Sequence, residues 1–187
     1  MTAASKDSAK PLYTDNDWAT TRSFFWHDFA NVSGGYLTPP EGDLPPSPYY
    51  AAYTHNGKGR GVFASRNLQK GEVVHSGWTN VAFFDTGHKW RTFVMTLPNW
   101  KMACDVMEWT WIQRIDGSAP GGGRLLLVLN MDDAAFLNDG RESKSNIRAE
   151  GKTELDFYAT KDIEKGSEIL YKYSNYETPW EEFGLGF

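Results

Sequence analysis

Cysteine is nearly absent: Cys104 is the one such residue in 187. A lone thiol excludes an internal disulfide and a thiolate zinc site. Its place in an apolar run makes a buried structural thiol the expectation. No run approaches the roughly twenty consecutive apolar residues of a membrane-spanning helix, and residues 1–17 lack the apolar core of a signal peptide. A soluble intracellular protein, cytoplasmic or nuclear, with no membrane partner is therefore expected. Basic charge is short as well: 19 Lys and Arg against 24 Asp and Glu give a formal charge of −5. A nucleic-acid backbone calls for a basic face, so direct nucleic-acid binding is not expected, whereas a mildly acidic surface suits a basic peptide. No carboxylate pair, metal-ligand cluster or Ser-His-Asp set stands out, and no metal site is predicted. The sequence leaves the oligomeric state open.

Aromatic residues, by contrast, are plentiful: eight Trp, nine Tyr and eleven Phe. Their commonest use is core packing. The length fits one domain with an extension. Residues 1–17 are polar and expected to be loosely held. Residues 18–56 form an aromatic and proline-rich extension, in which residues 24–29 read as either a strand or a short helix, and residues 34–48 as an extended loop. Residues 57–175 form the main domain, with an insert at about 90–123, and residues 176–187 an aromatic tail. Within the insert, Trp100, Ala103, Met107 and Trp111 fall near helical spacing, which predicts an amphipathic helix over 99–115. Residues 117–123 read as a flexible glycine loop, and residues 72–84 as strands with a turn at Ser76 and Gly77. Residues 124–130 are a near-continuous apolar strand, buried on both faces. Asp132 caps one or two helical turns ending at Leu137.

One device occurs twice. Residues 63–74 can be laid over residues 158–169 with Ala, Lys and Gly identical and most other positions exchanged like for like. Each copy runs from a strand through turn chemistry ending in glycine to a second strand, residues 155–159 and 168–173 in the second copy. Ahead of the first copy stand the alternating glycines of Gly57-Lys58-Gly59-Arg60-Gly61. Such glycines let a backbone approach a ligand without interference from side chains. The segment lacks the Gly-Lys-Ser/Thr ending and following helix of a phosphate loop.

Three segments, in order, resemble the motifs of the SET-domain protein lysine methyltransferases. Lys58-Gly59-Arg60-Gly61-Val62-Phe63-Ala64 is similar to that family's Lys-Gly-x-Gly-Val-Phe-Ala. Ala135-Phe136-Leu137-Asn138-Asp139-Gly140 stands for its Arg-Phe-x-Asn-His-Ser, and Gly166-Ser167-Glu168-Ile169-Leu170-Tyr171-Lys172-Tyr173 for its Gly-Glu-Glu-Leu-Thr-Phe/Tyr-Asp-Tyr. Asp139 replaces the histidine, Gly140 the serine and Lys172 the aspartate. The Pro-Asn that follows in the family is Ser145-Asn146, delayed by two residues. No cysteine triplet follows, so the zinc-bound tail of many relatives is absent from this sequence.

The resemblance implies a mostly β, α+β fold of the β-clip type: several short sheets, a helical insert and a C-terminal pseudoknot-like crossing. It implies S-adenosylmethionine as cofactor, held by Lys58, Gly59, Arg60, Gly61 and Val62, by Asn138 and Asp139, and by an aromatic lid including Trp180. It also implies methyl transfer to a lysine of a protein or peptide substrate. Tyr173 would lie by the reacting amine, and Tyr171 would hold a water in the room an extra methyl needs. In-line transfer to a neutral amine needs alignment above all. Two outcomes stay open: an active lysine methyltransferase, or a SET-like module that binds a peptide or cofactor without transfer, which Asp139 and the two-residue insertion favour.

Overall fold

The computed structural model describes residues 10–29, 46–55, 57–114, 123, 125–150, 155–173 and 180–185. The predicted proline loop therefore lies largely outside the described residues, as does the glycine loop except for Gly123. Among the described residues, short strands gather into three small sheets. The first joins β1 (Tyr49–Tyr53) to β2 (Arg60–Ala64), β2 to β10 (Glu168–Tyr171), and β10 to β7 (Asn138–Asp139). The β10–β7 pairing is parallel and the others antiparallel. The second sheet orders β3 (Val73–His75), β9 (Asp156–Ala159) and β8 (Ile147–Glu150). In the third, β6 (Leu125–Asn130) lies between β4 (Val81–Phe84) and β5 (Trp111–Arg114). As its apolar run predicted, β6 is the buried centre of its sheet, with Leu127, Val128 and Leu129 fully enclosed.

The two copies of the repeated device pair with each other, and their hydrogen bonds are reciprocal. Leu68 and Ile163 exchange two backbone bonds of 2.9 Å each. Gly166 N donates to Ala64 O, and Gly71 N to Ala159 O, each at 2.8 Å. Side chains follow the same two-fold logic: Lys165 N donates to Asn67 Oδ1 and Lys70 N to Asp162 Oδ1, both at 2.9 Å. Gly71 and Gly166 hold matching φ values of 84° and 82°, a left-handed turn that a β-carbon would strain.

β10 is enclosed by the segment before it. Successive residues of a strand direct their backbone polar groups to opposite edges. On one edge of β10, Ala64 N donates to Ser167 O (3.0 Å) and Gly140 N to Tyr171 O (2.8 Å). On the other edge, Asn146 N donates to Leu170 O at 3.0 Å and receives Leu170 N on its Oδ1 at 2.8 Å, while its Nδ2 donates to Glu168 O at 2.9 Å. The chain between Asn138 and Asn146 thus passes around the strand, which is the predicted crossing. The two extra residues are taken up by a helical turn, α5 (Arg141–Lys144), whose Arg141 sits at φ 51°.

Helices cover the third sheet. The run 24–29 is helical: α1 (Asp15–Phe24) continues into a π-helical turn, Phe25–Phe29. Phe25 and Phe29 pack edge-on against Phe84 and Phe93. α2 (Gly77–Asn80) begins at the turn expected at Ser76 and Gly77 and separates the strands on either side; Gly77 packs so closely on Leu155 that a β-carbon would come within 2.5 Å of it. α3 (Gly87–Thr96) and α4 (Trp100–Trp109) form the insert.

Four expectations need correction. The helix predicted over 99–115 ends at Trp109, where Thr110 turns to an extended backbone and starts β5. Its tryptophan stripe is not the core face, since Trp100 is 71% exposed, while Met102, Asp105 and Val106 are buried. Cys104 is exposed rather than buried, because it lies on the opposite side of α4. Finally, residues 10–17 are not loosely held: Tyr13 is buried, and Thr14 closes a capping box with Asp17 at the start of α1. No helix among the described residues is long and apolar enough to cross a membrane.

Candidate active site

Two adjoining cavities lie where β10 meets the turn after β6. That turn is fixed from below by buried polar groups. Asp132 caps Ala134 N at 2.9 Å and receives the Tyr49 hydroxyl at 2.7 Å, and the same hydroxyl lies 2.8 Å from His75 Nδ1. Asp133 accepts from Trp18 Nε1 (2.8 Å) and Ala51 N (2.9 Å). The 3-10 turn Asp133–Phe136 then delivers Leu137 and Asn138 to the site, as the capping aspartate predicted.

The larger cavity, about 590 Å³, runs along the glycine-rich segment. Lys58, Gly59 and Arg60 face Phe136, Leu137 and Asn138 across it, and Lys10, Tyr53, Glu108, Trp109 and Tyr173 complete its lining. Gly59 has φ 84° with open space where a β-carbon would be, so glycine is required there by conformation. Asn138 Nδ2 donates to Arg60 O at 2.8 Å and to Glu168 Oε1 at 2.9 Å, tying the glycine segment to the crossing.

The smaller cavity, about 320 Å³, is walled by Trp109, Trp111, Phe157, Tyr173 and Trp180, with Thr110 and Asn130 as polar members. Leu137, Ala135, Glu108, Trp109 and Tyr173 line both spaces. The Tyr173 hydroxyl donates to Leu137 O, so the ring is fixed where the two cavities adjoin. Burial first, and then the carboxylate of Asp139, push its phenol up to about 12. The hydroxyl therefore keeps its proton at neutral pH and remains a donor.

Of the residues expected to hold a cofactor, Lys58, Gly59, Arg60 and Asn138 share the larger cavity. The guanidinium of Arg60 is committed elsewhere, in a 2.6 Å ion pair with buried Asp105. Four others belong elsewhere. Gly61 faces protein: a β-carbon there would come within 2.8 Å of Thr54 Cγ2 and 3.0 Å of both Asn138 Nδ2 and Glu168 Oε1. Val62 is fully buried in the core. Asp139 lines neither cavity and serves the crossing instead, accepting from Arg141 N at 2.9 Å and Tyr173 N at 3.3 Å. Trp180 lies on the smaller cavity. Tyr171 lines neither space, because its ring is buried against Phe157 at 4.7 Å between centroids.

Several lining residues escaped the sequence reading. Glu108 and Trp109 come from the end of α4, and the Glu108 position gave no signal in the sequence. Lys10 comes from a segment expected to be loose. Asn130, 5% exposed and with a buried, unpartnered Oδ1, ends an otherwise apolar strand. A polar residue closing so apolar a run was a usable signal.

A family model of the SET domain matches residues 59–174. A search of curated proteins gives no match. Solved structures similar to this chain include a humanized mutant of the Polycomb Repressive Complex 2 of Chaetomium thermophilum bound to an inhibitor, at 14% identity, 75% of this chain, 17% of that chain and a TM-score of 0.46. The same organism's complex in an autoinhibited conformation bound to S-adenosylmethionine matches at 13% identity, 74% of this chain, 16% of that chain and a TM-score of 0.46. A Plasmodium falciparum protein assigned as a histone methyltransferase matches at 16% identity, 73% of this chain, 99% of that chain and a TM-score of 0.40.

Proposed function

The chain belongs to the SET-domain family, and on that premise we propose that it is a protein lysine N-methyltransferase that uses S-adenosylmethionine. The observation that carries this proposal is the Tyr173 hydroxyl, held at the boundary of two cavities of different character. The larger has the volume usual for a small-molecule site, along with aromatic faces from Trp109 and Phe136 and charged groups of both signs, which fits a cofactor with a flat base and a zwitterionic end. The smaller is mostly aromatic and fits the apolar stem of a lysine.

Bound S-adenosylmethionine supplies an electrophilic methyl group on a sulfonium. The chain's residues prepare the nucleophile. An amine in the smaller cavity is desolvated by Trp109, Trp111, Phe157 and Trp180, which disfavours its charged form and favours release of the proton to water. Tyr173, neutral and fixed through Leu137, orients the amine lone pair toward the larger cavity. Asn138 keeps the glycine segment and β10 in register, so that the two cavities stay aligned. The formal charge of −5 favours basic substrate segments.

The test is calorimetric titration with S-adenosylmethionine and S-adenosylhomocysteine, followed by mass spectrometry of a library of basic peptides incubated with the protein and cofactor. Binding together with a mass increase of one or more methyl groups on lysine is expected. A protein that binds the cofactor yet methylates no peptide would instead be a binding module, and one that binds neither compound would contradict the proposal outright.

A further inference from the structure

Residues 10–13 precede the matched span 59–174, yet Lys10 among them lines the larger cavity. Three hydrogen bonds fix them. The Tyr53 hydroxyl donates to Lys10 O at 2.9 Å, Arg60 Nη1 donates to Pro11 O at 2.8 Å, and the Tyr13 hydroxyl donates to Asp105 Oδ2 at 2.8 Å. The Lys10-Pro11 bond stiffens the segment further, because proline fixes its own φ and restricts the residue before it. Lys10 is therefore held in place by its backbone while half its side chain stays exposed.

The Lys10 ammonium is paired with the Glu108 carboxylate and lies 3.7 Å from Asp105 Oδ1. Both Lys10 and Glu108 line the larger cavity. An exposed pair of this kind contributes little by itself, so separating its partners is cheap. A free α-amino acid carries a carboxylate and an ammonium on one carbon. Placed between a lysine and a glutamate, it can replace one ion pair by two charge-assisted contacts.

We infer that Lys10 and Glu108 bind the amino-acid end of the cofactor, Lys10 pairing with the α-carboxylate and Glu108 with the α-ammonium. The inference rests on the reading of this cavity as the S-adenosylmethionine site. Both residues are outside the glycine and asparagine motifs: Lys10 precedes the family match, and Glu108 lies on the insert helix α4. The N-terminal segment thereby becomes part of the ligand site. Asp105 is a positioning residue in this arrangement, since it anchors Tyr13 and Arg60, and Arg60 in turn holds the carbonyl of Pro11 next to Lys10.

Two ligands separate the amino-acid end from the rest of the molecule. S-adenosylhomocysteine carries it, whereas methylthioadenosine keeps the adenosine and the sulfur and lacks it. Calorimetry on the full chain should show Lys10→Met and Glu108→Gln each losing about tenfold in affinity for S-adenosylhomocysteine, the change expected for about 1.4 kcal/mol. Affinity for methylthioadenosine should be unchanged, and Lys10→Arg should retain wild-type binding of both. Wild-type affinity for S-adenosylhomocysteine in both variants would overturn this inference alone, leaving the cofactor site standing. An equal loss for both ligands would also overturn it, since that is the mark of a displaced wall rather than a lost charge contact. A wild-type protein that bound neither ligand would overturn the cofactor site and, with it, the role given to Lys10 and Glu108.

Discussion

Replacing Asp105 by alanine should be among the most damaging single changes outside the apolar core. The carboxylate is 3% exposed, and it receives Arg60 Nη1 at 2.6 Å and the Tyr13 hydroxyl at 2.8 Å. Its removal strands a guanidinium on a residue only 9% exposed. Breaking one side of a buried pair costs about 3–5 kcal/mol because the surviving charge is left without compensation. Arg60 retains Pro11 O and the faces of Phe136 and Trp109, whose ring centroids lie 4.4 and 5.2 Å from its central carbon. These contacts survive the change and partly compensate the stranded guanidinium, which places the loss at the low end of that range. A net loss of about 3 kcal/mol follows, which for a domain of this size lowers Tm by roughly 6–12 °C. Thermal and urea unfolding followed by circular dichroism would measure it. The double variant Asp105→Leu with Arg60→Met removes both charges together and should be more stable than Asp105→Ala, its remaining loss of about 1–3 kcal/mol coming from the Tyr13 hydroxyl and Pro11 O left without partners. An Asp105→Ala protein within about 1 kcal/mol of wild type, or a double variant as unstable as the two single changes added, would refute the role given to this pair.

Tyr173→Phe keeps the ring and removes one oxygen, so affinity for S-adenosylhomocysteine should stay near wild type while turnover falls on the order of a hundredfold; a fully active variant would show that the hydroxyl does not touch the reacting groups. Gly61→Val should destabilise the fold by about 1–3 kcal/mol, because the side chain meets Thr54, Asn138 and Glu168 rather than open cavity. An unchanged melting curve would argue against that packing. Asn146→Ala deletes two side-chain hydrogen bonds to the backbone of Leu170 and Glu168, at roughly 1 kcal/mol each; a loss under about 0.5 kcal/mol would mean the crossing holds without it. Stability should fall as pH rises from about 10 to about 12, since the unfolded chain releases its tyrosine protons near pH 10 while burial keeps those of Tyr49 and Tyr13 bound; Tyr173, raised to about 12 but 41% exposed, adds less. Denaturant titrations at stepped pH would show the slope, and a flat profile across that window would contradict it.

How much of this was legible depended on whether the determining contacts were local. The repeated device was written in both copies, down to Lys70 and Lys165 and to Gly71 and Gly166, because each copy closes on turn chemistry of its own. The turn after β6 declared itself through Asp132, and Asn138 followed from it. α4 was misjudged at its C-terminal end because its buried face includes a charged residue. With Asp105 between Met102 and Val106, the apolar stripe passed instead through Trp100 and Met107, which are exposed. α3 carried a readable pattern in Trp90, Phe93, Val94 and Leu97 behind the cap Thr86, yet it was not predicted. Nothing local marked Lys10 or Tyr13. Their partners Glu108 and Asp105 lie far along the chain, where only the fold brings them together.

The reciprocal bonds between Leu68 and Ile163, and between the two glycine turns, form a clasp that joins the ends of everything between them. For a chain already closed in this way, further length is tolerated cheaply: each doubling of a loop costs only about 0.6 kcal/mol in closure entropy. Insertions or replacements around α3, α4 and β5 therefore burden the clasp little. Yet the stretch from Glu108 to Trp111 in that same region walls the smaller cavity. Part of the smaller cavity's wall, Thr110 and Trp111, thus comes from the loop that the clasp closes, whereas Tyr173 follows the clasp in the chain. Rewriting Thr110 and Trp111 would therefore reshape the smaller cavity while leaving every hydrogen bond of the clasp in place.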